Sequence, residues 1–244
     1  MSQKKAEKLL VQVKEAYNTI AQEFSDSRGF AWQEFEFFVP YLKPGAKILD
    51  LGCGNGRLLK YLTQKTFEWK QPGFEYVGID NSEKLLEKAQ KNHPEQTFIL
   101  GDQLEIPIAD GNRDVVFNVA AFHHIPTHAL QLKALNEMYR VLKKDGILVM
   151  TVWNLWQWKN VMLFLKSLVR CILTFGQYGL RDLFVPWGKE KTARFYYAFS
   201  PNEIEKLLVK AGFEIMDFFS VKAGGKVAVN KGYNFCIVAK KIFL

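Results

Sequence analysis

Lys47-Ile48-Leu49-Asp50-Leu51-Gly52-Cys53-Gly54-Asn55-Gly56-Arg57-Leu58 is the stretch on which the reading of this chain turns. Lys47 to Leu51 has the apolar content of a short buried strand, and the glycines after it stop that strand. From Arg57 through Leu58, Leu59, Lys60, Tyr61 and Leu62 the spacing becomes helical. Strand, glycine turn and helix together open a nucleotide-binding βα unit, in which backbone N–H groups and a helix N-terminus face a ligand. The dinucleotide pattern is G-x-G-x-x-G. Here Gly52, Gly54 and Gly56 stand at alternate positions, with Asp50 two residues ahead of the first and Cys53 inside the run. Lacking a Cβ, each glycine lets the backbone approach a bound molecule closely.

Downstream, Phe74 to Asp80 predicts a second strand that ends in an acid. An acid there can accept hydrogen bonds from both hydroxyls of a ribose. Ser82 caps a helix running to about Asn92. Thr97 to Leu100 is a third strand, followed by Gly101-Asp102-Gln103, where a carboxylate either accepts from an adenine amine or closes a Gly-Asp turn. Arg113 to Val119, with Asn118 near its end, is a fourth strand. It runs into Ala120-Ala121-Phe122-His123-His124 at the carboxyl edge, where open α/β sheets bind ligands. The small Ala120 and Ala121 leave room for a methyl-bearing group, and His123 or His124 is either a general base or a residue that orients backbone. Thr127 to Leu142 is a helix, Lys143 to Gly146 a turn and Ile147 to Trp153 a fifth, fully buried strand.

The flanks complete one domain over residues 1–244, with a cap (1–45), a core (46–153), an insertion or lid (154–199) and a closing segment (200–244). Apolar residues every three or four positions predict a helix from Gln3 to about Ser25, and Trp32 to Leu42 predicts a second, with a loop from Ser25 to Phe30 between them. In the insertion, Val161 to Phe175 makes a helix whose polar stripe is narrow: Lys159, Lys166, Arg170 and Thr174. It is too short and too charged to span a bilayer. A buried lid is the expectation, with a partner-binding helix or peripheral membrane contact as alternatives. Ser200-Pro201-Asn202-Glu203 is a helix start with a capping box, and that helix ends at Ala211-Gly212. Phe213 to Val221 and Tyr233 to Lys240 are closing strands around a loop from Lys222 to Gly232. The expected fold is therefore α/β and Rossmann-like: a seven-stranded, mostly parallel sheet with one antiparallel strand and helices on both faces.

Hydrophobic content of 48% and aromatic content of 14% in 244 residues exclude a disordered chain. The formal charge of +8 favours anionic partners such as RNA or acidic headgroups. Cys53, Cys171 and Cys236 are scattered, which fits neither a disulfide framework nor a zinc site, so no metal is expected and a reducing, cytoplasmic setting is. The N-terminal residues lack the apolar core of a signal peptide.

In motif order the core from about Lys47 to Val152 resembles class I S-adenosylmethionine (SAM)-dependent methyltransferases. More narrowly, the chain resembles the tRNA wobble-uridine methyltransferases that esterify a 5-carboxymethyl group. That likeness is carried by Tyr17 to Ala21, Phe24-Ser25, Arg28 to Trp32, Asp50 to Gly56, Phe122-His123-His124, Thr151-Val152-Trp153, Val185-Pro186-Trp187 and Arg194 to Phe199. It implies SAM as cofactor, S-adenosylhomocysteine as product, a tRNA anticodon stem-loop as partner and a small zinc-containing activator subunit. Around the cofactor it implies Tyr17, Arg28, Asp50, Gly52, Cys53, Gly54, Gly56, Asp80, Asn81, Asp102, Gln103, Asn118 and Ala120, with Tyr17 and Arg28 closing over it and Arg28 near its carboxylate. Two features depart from the family: Tyr197 stands where a histidine is typical, and the insertion is usually polar. Methyl transfer chiefly needs alignment of the acceptor, and an ionised carboxylate needs no base. Arg194, helped by His123 or Tyr197, is therefore the expected set that orients an acidic acceptor. The alternatives are O-methylation of a small or lipid-like molecule such as a phenol, which must first lose a proton, and a non-catalytic SAM-binding partner subunit.

Overall fold

The structure, a computed structural model, describes residues 1–28, 32–68 and 73–242; Gly29 and Phe30 of the expected loop, and Ala31 beside them, lie outside the described residues. Helix α1 (Gln3–Asp26) buries Ala6, Leu9, Val13, Ala16, Ile20 and Ala21 along one face. The second helix expected over Trp32 to Leu42 is instead a pair of 3₁₀ turns, Gln33–Phe37 and Val39–Tyr41. Pro40 lacks the N–H that an α-helix would use there. In 3₁₀ geometry residues three apart eclipse, so Phe35 and Phe38 enter the core side by side, each 1% exposed.

The core elements then alternate: β1 (Lys47–Leu51), α2 (Arg57–Glu68), β2 (Glu75–Asp80), α3 (Glu83–Asn92), β3 (Thr97–Leu100), β4 (Arg113–Val119), α4 (His128–Val141) and β5 (Leu142–Trp153). The insertion adds α5 (Val161–Leu173) and a hairpin of β6 (Asp182–Trp187) and β7 (Thr192–Tyr197). After it come α6 (Pro201–Lys210), β8 (Phe213–Lys222), β9 (Gly225–Val227) and β10 (Asn234–Lys241). Strands β1, β3 and β4 and helix α3 occupy the residues expected of them. The described residues form an eight-stranded sheet in the order β3-β2-β1-β4-β5-β10-β8-β9. That is one strand more than expected, because the supposed loop after Lys222 folds back as the short edge strand β9, pairing Val221 with Lys226. Strand β10 runs antiparallel to both β5 and β8. The turn expected at Lys143–Gly146 is absorbed into β5 as an irregularity between the Arg113–Leu142 and Val115–Ile147 pairs, with Asp145 at φ +60°.

Alternation along the strands loads both faces. Leu49, Val116, Met150 and Ile237 join Leu135, Met138 and Leu208 from α4 and α6 on one side. Ile48, Val115, Phe117 and Val149 join Phe35, Phe38, Leu58 and Leu62 on the other. Strands buried on both faces are what a doubly wound sheet requires.

Helix α5 is not the buried lid expected. Among its described residues Ser167 alone is buried, with its Oγ donating to the carbonyls of Gly179 (3.1 Å) and Asp182 (3.2 Å). Met162, Leu165, Val169, Ile172 and Leu173 stand exposed. No described helix is long and apolar enough to cross a membrane.

Candidate functional site

The carboxyl ends of β1, β2 and β4 open into a cavity roofed by Leu10, Val13, Tyr17 and Phe24 of α1. Gly52 turns the chain out of β1 at φ +82°, and a Cβ on it would fall 2.5 Å from the Cβ of Ala121. Gly52→Ala should therefore destabilise the fold by about 3 kcal/mol, the sum of left-handed strain and overpacking. Chemical denaturation would show this as a lower midpoint at unchanged slope.

Cys53, Gly54 and Asn55 continue the rim. The N–H of Gly54 donates to Asp80 Oδ2 (2.8 Å) and that of Ser82 to Asp80 Oδ1 (2.9 Å). Each oxygen keeps lone pairs for a further donor such as a ribose hydroxyl. Asp50 lies beneath, taking the Tyr76 hydroxyl at 2.8 Å; burial pushes its carboxyl up to about 7. Asn81, Asp102, Gln103 and Ala120 also line the cavity, Asp102 Oδ1 accepting the Leu104 N–H at 2.8 Å.

Two expected cofactor residues sit behind the wall. Gly56 is absent from the lining; a Cβ there would meet the His93 ring at 2.8 Å, so it admits helix packing. Asn118 points into the sheet, donating to the Leu51 carbonyl (3.2 Å) and to Gln103 Oε1 (3.1 Å), and so fixes both neighbours.

The acceptor side is built from three elements that meet at Tyr17. His124 Nδ1 lies 2.7 Å from the Phe195 carbonyl, which can only accept, so Nδ1 carries the proton. Nε2 is then the acceptor for the Tyr17 hydroxyl at 2.8 Å. Arg194 Nη1 in turn donates to the Tyr17 oxygen at 3.1 Å. His123 Nδ1 accepts the Trp153 N–H at 3.3 Å, and its ring stacks on Tyr196 with centroids 4.8 Å apart. Burial, with the Arg194 charge adding to it, holds His124 down at about 3. Burial, the neighbouring His124 and Arg194 push His123 well below the usual histidine range. His124 is bound at both nitrogens and His123 at Nδ1, and burial makes both rings weakly basic, so neither is suited to take a proton from a phenol.

Arg194 is 1% exposed. Its Nε and Nη2, the Tyr196 hydroxyl and Arg28 Nε are buried and find no hydrogen-bond partner among the described residues. Arg28, Arg194 and Tyr196 all line the cavity. Burial lowers Arg28 and takes Arg57, also on the wall, down to about 10. Buried donors left unmet cost about 1–3 kcal/mol each, more when charged. This side of the cavity thus offers guanidinium donors to an anion, while Asp50, Asp80 and Asp102 line the rest of it.

Tyr197, expected beside Arg194, lies outside this lining. Its hydroxyl donates to Glu203 Oε1 at 2.6 Å and sits 3.0 Å from His128 Nε2. The cause is strand alternation: along β7, Arg194 and Tyr196 face the cavity while Phe195 and Tyr197 face away. The same period of two could have named Tyr196 in place of Tyr197. Trp153, marked in the sequence only as part of the Thr151–Trp153 resemblance, and Arg57 also line the cavity.

The residues present fit SAM: a rim where Gly52 and Gly54 offer backbone without a Cβ, an acid at the end of β2 for a diol, and buried guanidinium donors for a carboxylate. Known proteins agree. Residues 49–150 match the model of a methyltransferase domain family. The Schizosaccharomyces pombe tRNA (carboxymethyluridine(34)-5-O)-methyltransferase is 27% identical over 227 residues, covering 84% of this chain and 90% of that protein. Against several other curated relatives the chain spans about a third of their length. A SAM-dependent methyltransferase of Methanosarcina mazei superposes with a TM-score of 0.68 at 20% identity, covering 85% of this chain and 98% of that one. The structure of a complex between the Haloferax volcanii Trm112 methyltransferase activator and a methyltransferase gives 0.66 at 17% identity, covering 95% and 98%.

Proposed function

We propose that this chain, a class I SAM-dependent methyltransferase, esterifies the carboxylate of a 5-carboxymethyl group on a tRNA wobble uridine. The observation that carries the reading is Arg194, buried in the cavity with two nitrogens unmet among the described residues. Two guanidiniums with such donors, Arg28 and Arg194, suit two carboxylates: that of the cofactor and that of the acceptor. Bound SAM supplies a methyl group on a positively charged sulfur, already activated for displacement. Gly52, Cys53 and Gly54 cradle its amino-acid end, Asp80 its ribose and Asp102 its adenine, while Arg28 takes its carboxylate. Arg194 and the Tyr196 hydroxyl orient the acceptor carboxylate, and the Tyr17–His124 chain keeps the guanidinium from turning. Orientation of the acceptor supplies the rate, since an ionised carboxylate has no proton to lose.

The direct test incubates the chain with isotopically labelled SAM and tRNA bearing 5-carboxymethyluridine, then analyses nucleosides by mass spectrometry. Label should enter that nucleoside as a base-labile ester; label in a phenol or lipid instead would overturn the acceptor. RNA affinity should fall steeply with salt, as phosphate contacts require. An activator subunit of the Trm112 kind and a cytoplasmic location belong to the same reading, so the assay includes the chain co-expressed with such a subunit.

The pH behaviour separates donor from acceptor. At saturating SAM the rate should stay flat from about pH 6 to 9, because no histidine titrates in the site. SAM affinity should rise by up to about tenfold as pH climbs through the Asp50 value of about 7. Below that pH the carboxyl is protonated and must shed its proton to favour a cationic ligand; above it the charge is already present. Asp50→Asn should flatten the affinity profile in calorimetry.

A further inference from the structure

Helix α5 turns its greasy side to solvent. At 3.6 residues per turn, Met162, Leu165, Val169, Ile172 and Leu173 fall within roughly 100° of arc. Their relative exposures run from 49% to 72%. Trp158, 92% exposed, stands just ahead of the helix, and Phe175, 96% exposed, just after it. Lys166 and Arg170 follow along one edge of that arc, and Lys159 precedes it. The opposite side is fastened to the protein through Ser167 and through Leu163 and Phe164. An exposed apolar stripe of this size on a well-anchored helix marks a surface made to be covered.

Charge selects the occupant. From Gly146 to Arg181 the sequence contains no Asp or Glu. A second copy seated on this face would bring cations of a +8 chain together with no acid in the segment to pair them. Nucleic-acid phosphates would match the cations and leave the leucines and isoleucine without a partner. A bilayer interface with anionic headgroups meets both needs: acyl chains for the arc, headgroup phosphates for the basic edge, and the boundary region favoured by tryptophan for Trp158. We infer that α5 is an interfacial helix that docks the enzyme on an anionic lipid surface, with Lys159 and Lys166 at headgroup level and Arg170 stacked back on Phe184. The cytoplasmic leaflet is the surface of that charge.

The test uses the full chain and sedimentation with vesicles of phosphatidylcholine alone or with about one third phosphatidylserine. The chain should pellet with the anionic vesicles, with a blue shift of tryptophan emission. Val169→Asp with Ile172→Asp should weaken that binding more than about tenfold. Lys159→Gln with Lys166→Gln should lower it about fivefold per cation removed and narrow the preference for phosphatidylserine. All four positions lie away from the cavity, so SAM binding by calorimetry should be unchanged and shows that the variants are folded. Failure to pellet with either vesicle overturns the inference, as does equal binding to both. A dimer in light scattering that Val169→Asp with Ile172→Asp dissolves would assign the face to a second copy and overturn it equally.

Discussion

Arg194→Met should lower kcat/KM for the RNA acceptor by about 10²- to 10³-fold while SAM affinity moves less than about threefold. The range follows from the cost of taking away one partner of a buried, hydrogen-bonded charge pair, about 2–5 kcal/mol. Methionine keeps much of the side-chain volume and removes the charge, so packing around Tyr17 and Trp187 is the smaller change. Stability should hold or improve, because the free protein no longer buries a guanidinium whose Nε and Nη2 are unmet among the described residues. Arg194→Lys should recover little, since an ammonium cannot present the parallel pair of donors that a carboxylate accepts. Steady-state kinetics with varied RNA, set beside calorimetry with SAM, separate the two ligands. A parallel loss of SAM affinity would move Arg194 to the donor side and leave the acceptor unassigned.

Asp80→Ala should weaken SAM binding by about 10²- to 10³-fold. Hydrogen bonds to a charged group contribute about 1.5–3 kcal/mol each, and a ribose offers two. The carboxylate is preset for this: the Gly54 and Ser82 N–H groups hold both its oxygens in place. Burial raises its pKa, a cost that two hydroxyl donors would relieve. Asp80→Asn should lose less than Asp80→Ala because the shape remains. Asp102→Ala should cost about tenfold, one neutral amine being worth less than a diol on a carboxylate. Calorimetry that found Asp102 dominant and Asp80 dispensable would reverse the two assignments.

Most of the sheet was legible because its signals are local. Period, glycine punctuation and capping residues delimit β1, β3, β4, α3 and the start of α6, where the Ser200 N–H meets Glu203 Oε2 at 3.3 Å. The missed parts depend on tertiary context. The Phe-rich stretch after Trp32 has helix-like spacing, yet Pro40 and the placement of Phe35 and Phe38 make it 3₁₀. Strand β9 has no hydrophobic signature and exists because β8 offers it an edge. The rim of the cavity followed from glycines and acids at strand ends. The roles of Gly56 and Asn118 did not, because a residue at a strand end can point forward or back. Tyr197 was misplaced for a simpler reason: its partner Arg194 is an odd number of residues away on a strand.

Helix α1 both covers the cavity and steadies Arg194 through Tyr17. Toward α3 it is fastened by polar contacts: an exposed Lys14–Glu83 pair at 2.6 Å, Asn18 to Glu83 at 2.9 Å and the buried Ser82 to Asn18 at 2.7 Å. Of these only the exposed ion pair is worth little; the apolar face of α1 and the buried Ser82 contact carry the attachment. The roof of the cavity and the support of Arg194 thus sit on one helix, so a displacement of α1 that widened the cavity would also loosen the guanidinium.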